Sequence, residues 1–73
     1  MNRLFRVQHK KVNSGQVHLL QNRVVPAATA VEALFVASRN GLQFNSTFIS
    51  LDTATVERLV DGAKDLWCAV REL

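Results

Sequence analysis

PAATAVEALFVASRNG, Pro26 to Gly41, can be a strand or a helix, and the choice decides the architecture. As a strand it completes a four-stranded curl closed by one helix. As a helix it joins a second helix over one face of a small sheet and leaves the other face open. Strand alternation would put Glu32, Leu34, Val36 and Ser38 on one side, and Ala33, Phe35, Ala37 and Arg39 on the other. Neither side is cleanly polar, and alanines disfavour a strand. Helical spacing fits better. Thr29-Ala30-Val31-Glu32 has the form of a capping box, in which the threonine oxygen accepts from an orphan N–H while the glutamate reaches back. Val31, Leu34, Phe35 and Ser38 then follow at helical spacing, and Asn40-Gly41 offers a left-handed stop. Pro26 ends the preceding strand by holding Val25 extended. The pattern predicts a helix over 29–41.

Upstream, LFRVQHKKV (4–12) and VHLLQNRVV (17–25) flank Asn13-Ser14-Gly15-Gln16, where Asn and Gly tolerate the positive φ of a turn. This is a β-hairpin pattern. The most amphipathic register sets Phe5 opposite Val24, Arg6 opposite Arg23, His9 opposite Leu20, Lys10 opposite Leu19 and Lys11 opposite His18. It gathers Phe5, Val7, Leu20 and Val24 on one face and Arg6, Gln8, Lys10, Gln21 and Arg23 on the other.

Downstream, LQFNSTFISL (42–51) alternates through Leu42, Phe44, Ser46 and Phe48 and reads as a third strand. Asp52 then caps a long second helix, along which Val56, Leu59, Val60, Ala63, Leu66, Trp67, Val70 and Leu73 recur at spacings of three and four. The expected fold is α+β in the order β-β-α-β-α. It is a three-stranded antiparallel-type sheet with two helices packed on one face, built as a single small domain spanning 1–73.

Ile49 to Leu73, ISLDTATVERLVDGAKDLWCAVREL, resembles the terminal strand and helix of the positive-cofactor-four-like coactivators, which bind single-stranded DNA. The resemblance covers about a third of the chain and implies a terminal helix used for dimerisation. That family's four-stranded curl needs residues 32–40 to be a strand, and its basic step before I-S-L is here Asn45-Ser46-Thr47-Phe48. No binding residue is carried over from it.

Composition narrows the function. The chain is 73 residues long, 48% hydrophobic and +3 in net charge, which suits one small folded domain. The positive charge is concentrated: Arg3, Arg6, Lys10, Lys11 and Arg23 precede the first acid, and the remainder of the chain is net acidic. Such asymmetry points to a polyanionic partner. A lone Cys68, the absence of a signal-peptide pattern and the absence of a membrane-length apolar run lead to the expectation of a cytoplasmic protein with no membrane association.

No catalytic, metal or cofactor constellation can be assembled. Cys68 reads as a packed thiol, His9 and His18 lack companion ligands, and the three glycines are too scattered for a phosphate loop. The expected function is therefore a non-enzymatic binding module. Its nucleic-acid or anion-binding residues are Arg6, Gln8, Lys10, Lys11, His18, Gln21 and Arg23, and its homodimer interface is Leu66, Trp67, Val70 and Leu73. The alternative is an inhibitor or adaptor, of the kind phages and mobile elements use, that binds an acidic surface of a host protein.

Overall fold

Two glycine turns organise the chain. Ser14 and Gly15 (φ 52° and 80°) and Asp61 and Gly62 (φ 51° and 79°) are consecutive left-handed pairs, the conformation of a two-residue hairpin turn with the right twist for its flanking strands. The computed structural model describes residues 2–39 and 48–72. Its elements are β1 (Arg3–Asn13), β2 (Gln16–Ala27), α1 (Ala30–Ser38), β3 (Phe48–Ile49), β4 (Thr53–Val60) and β5 (Ala63–Arg71). They form one antiparallel sheet in the order β2-β1-β5-β4-β3, with β3 only two residues long.

This corrects the expected architecture: the second helix does not exist. Residues 53–71 form the β4–β5 hairpin, so the described residues hold four long strands and one short helix. The physical reason lies at Asp61-Gly62. A glycine inside a helix costs about 1 kcal/mol relative to alanine, whereas Asp-Gly is a preferred pair where both residues need positive φ. Thr53, Thr55, Val56, Trp67 and Val70 also suit a pleated surface better than a helix. The terminal-helix resemblance falls with it. Of the expected third strand at 42–51, Phe48 and Ile49 pair with β4, and residues 42–47 lie outside the described residues.

The first helix forms as expected. Thr29 is extended (φ −137°), and its Oγ1 accepts from the Glu32 N–H at 3.1 Å. The left-handed C-cap is Arg39 (φ 58°), one residue before the expected Asn40-Gly41, which lies outside the described residues. Thr29→Ala removes the N-cap acceptor and should lower stability by about 1 kcal/mol in chemical denaturation. An unchanged unfolding midpoint would mean that the cap contributes nothing.

The hairpin register holds only at the tip. Lys10 pairs with Leu19 and Lys11 with His18, but Phe5 lies opposite Val25, Arg6 opposite Val24 and His9 opposite Gln21. The shift falls at His9/Lys10 and leaves Leu20 as an extra residue, a β-bulge. Beyond it the side-chain parity of β2 is reversed. Val25 and Ala27 point into the core with Phe5 and Val7, while Leu20 and Val24 are exposed. Arg6 and Arg23 therefore sit on opposite faces of the sheet and do not repel one another.

Helix α1 packs across the face that carries Phe5, Val7, Val25, Ala27, Ala54, Trp67 and Ala69, and it buries Ala30, Ala33, Leu34 and Ala37 against them. No helix among the described residues is long and apolar enough to cross a membrane.

Candidate anion-binding face

Strand pairing builds this site in rows across the helix-bearing face. On this face, one residue pair back from the turns, lies the row His18–Lys11–Asp65–Arg58, each residue directly opposite the next on the neighbouring strand. The row behind it is Gln21–His9–Trp67–Val56, and the row after that begins with Arg23 opposite Val7. Neighbouring strands lie about 4.8 Å apart, so the first row spans roughly 15 Å. Helix α1 covers the opposite end of this face, over Phe5 and Val7.

One acid, Asp65, contacts two of the basic groups on this face. Asp65 lies 3.4 Å from His9 Nε2 and 3.8 Å from an Arg58 guanidinium nitrogen, and its side chain is only 17% exposed. The His9 contact has an ion-pair distance without hydrogen-bond geometry, and Nε2 is buried with no hydrogen-bond partner among the described residues. The His9 ring stacks on Trp67, with centroids 4.0 Å apart and planes 11° from parallel. This fixes the imidazole beside the carboxylate. Lys11 and His18 are exposed, and Lys11 has no acidic partner among the described residues. A guanidinium nitrogen of Arg23 donates to the Ala37 carbonyl at 3.3 Å, where a cation also suits the negative end of the helix dipole.

The seven expected binding residues thus divide. Lys11, His18, Gln21 and Arg23 share the helix-bearing face. Arg6, Gln8 and Lys10 lie on the opposite face, where Arg6 is held by Glu72 at 2.8 Å and by Asn22 at 3.2 Å. His9 and Arg58 join the first group and were missed in the sequence. Arg58 comes into reach only when Asp61-Gly62 is taken as a hairpin turn, and that dipeptide was the available signal.

The expected interface residues divide too. Leu66 and Val70 lie on the open face, Trp67 is 8% exposed on the core side, and Leu73 lies outside the described residues. Cys68 is half-buried on the open face and accepts from the Thr55 hydroxyl at 3.8 Å. It packs as a thiol should, but in a strand.

Among the described residues no group of His, Cys, Asp and Glu is arranged to hold a metal ion. No protein-family model, curated protein or solved structure matches the chain.

Proposed function

We propose that the protein is a non-enzymatic binding module that takes up a polyanion, nucleic acid foremost, on the turn-proximal half of its helix-bearing face. The observation that supports this is the row His18–Lys11–Asp65–Arg58, where exposed basic groups surround a single, already shared carboxylate. An incoming phosphodiester would supply the missing negative charge. Contact is to the backbone rather than the bases. Of the described aromatic side chains, Phe5 is buried, Trp67 is covered by His9 and Phe35 is half-buried on α1, so none lies open as a full platform for an unpaired base. Little sequence preference follows. A cytoplasmic setting and a dimeric state complete the reading, the first resting on the lone thiol at Cys68.

The missing stacking platform also favours a second reading, in which the same row grips an acidic surface of a folded protein and the chain acts as an inhibitor or adaptor.

Fluorescence anisotropy with labelled oligonucleotides at several salt concentrations separates the two. Under the nucleic-acid reading, affinity falls steeply with salt as condensed counterions are released. Lys11→Gln with Arg58→Gln weakens binding to all sequences alike and flattens the salt slope by about two, roughly one per lost phosphate contact. Arg6→Gln, on the other face, leaves the slope unchanged. No binding at low salt would remove nucleic acid and leave the acidic protein surface.

A further inference from the structure

His9 lies beside the basic row rather than in it, and its surroundings hold it for one contact. Its side chain is only 18% exposed, and Nε2 is shut off from solvent with no hydrogen-bond partner among the described residues. The same nitrogen is 3.4 Å from Asp65, the one carboxylate of the row, whose other oxygen faces Arg58 at 3.8 Å. Stacking on Trp67, with planes 11° apart, keeps the ring from turning away. A buried polar atom left without a partner costs stability, so its retention here calls for a role.

Charged groups surround His9 on several strands. Lys11 is two residues on along β1, on the same face. Strand β2 places Gln21 opposite, with His18 and Arg23 to either side on that face. Strand β5 contributes Asp65, and β4 contributes Arg58 beyond it. Helix α1 brings Glu32 in its first turn and the cap residue Arg39, both exposed. Among the described residues Asp65 is the one acid within ion-pair distance of the ring. While His9 is neutral, Asp65 offsets part of the charge of Lys11 and Arg58. A proton on His9 cancels that carboxylate from within the sheet. Asp65 then has a charged partner nearer than Arg58, and the guanidinium is released to a ligand.

We propose that His9 is a proton switch for the anion-binding row: acidification charges the imidazole, engages Asp65 and raises the affinity of this face for a polyanion. The inference rests on the anion-binding reading and adds its regulation. Histidine is the side chain whose charge ordinarily changes between pH 5 and 8. By linkage, a bound polyanion in turn promotes protonation of the ring. One added charge about 6 Å from a phosphate, at the high dielectric of a wet surface, tightens binding roughly three- to tenfold.

Trp67 is the only tryptophan, and a protonated imidazole stacked on an excited indole quenches it by accepting an electron, which a neutral ring does poorly. Emission should therefore fall as the pH is lowered from 8 to 5 in the wild type and in His18→Gln, and stay flat in His9→Gln. Binding is read by the anisotropy of rhodamine-labelled oligothymidylate, whose bases do not titrate in this range, at fixed salt. His18→Gln removes the exposed histidine and should bind roughly three- to tenfold more tightly at pH 5.5 than at pH 8. Adding His9→Gln should reduce that difference to less than about twofold. His9→Phe keeps a ring on Trp67 and should lose the response equally, and far-UV circular dichroism checks that each variant keeps its sheet. The wild-type emission curve needs no variant, and a flat one would overturn the switch. An emission change that survives His9→Gln, or binding whose pH response is absent or indifferent to His9, would overturn it while leaving the anion-binding reading intact. No binding at either pH would overturn both.

Discussion

Phe5→Ala should lower the melting temperature by roughly 15–30 °C, and at physiological temperature much of the protein should be unfolded. Phe5, Leu34 and Val7 are the largest fully buried side chains described, and the rest of the core is mostly alanine. Emptying a buried phenylalanine site typically costs about 3–5 kcal/mol, through lost transfer energy and the cavity left behind. A domain of this length has roughly 4–10 kcal/mol of stability in total. Each kcal/mol moves the midpoint of a domain this small by about 4–8 °C. Alanines packed around the hole have no spare side-chain length with which to fill it. Melting followed by circular dichroism, at matched protein concentrations, reads the effect. A shift below about 5 °C would show that Phe5 is not at the centre of the core.

Gly62→Ala should destabilise the protein by about 1–2 kcal/mol, and here the sign matters more than the size. Nothing lies within 4 Å of where the new methyl group would sit, so the effect is purely one of backbone conformation at φ 79°. Were residues 53–71 a helix, the same substitution would stabilise by about 1 kcal/mol, because alanine is the better helix former. A urea midpoint that moves upward would therefore refute the β4–β5 hairpin. One that moves downward excludes the helix.

The misreading of that segment has a specific cause. Val56, Ala63 and Trp67 point to the core in the hairpin, and they also fall on the apolar stripe of the expected helix. Leu59, Leu66 and Val70 belong to that stripe too, but they face the open side of the sheet. A sheet apolar on both faces leaves no clean alternation, and its residues then recur at spacings a helix would also produce. Helix α1 was legible because its signal is local: a threonine positioned to accept from the N–H three residues on reads the same in any tertiary setting.

In the N-terminal hairpin the turn and the Lys11–His18 pair were legible, while the bulge was not. Leu19 and Leu20 are identical neighbours, so nothing in their chemistry marks the place where the strand changes phase. That single hidden residue misplaced Arg23, and with it half of the expected basic strip. The candidate site was thus half visible. Lys11, His18, Gln21 and Arg23 were named, but His9 and Arg58 could be added only once β5 and β4 were known to lie beside β1.

The pairing of β1 with β5 has a consequence for how the chain is made. Val7 finds its partner in Ala69, and Arg6 in Val70, so within this sheet the earliest strand in chain order is completed by the latest. Until β5 emerges, the described elements of a nascent chain are the β1–β2 hairpin, the short β3–β4 pairing and a helix with little to rest on, and one edge of β1 stays open. Two-stranded hairpins are marginal in water, so this intermediate forms and melts repeatedly rather than waiting intact. The two hairpins can each close quickly through their own tight turns, but joining them closes a long loop and sets the pace. Folding is therefore withheld until nearly the whole domain exists, and an open β1 edge in many crowded nascent chains is the point at which misassembly would begin.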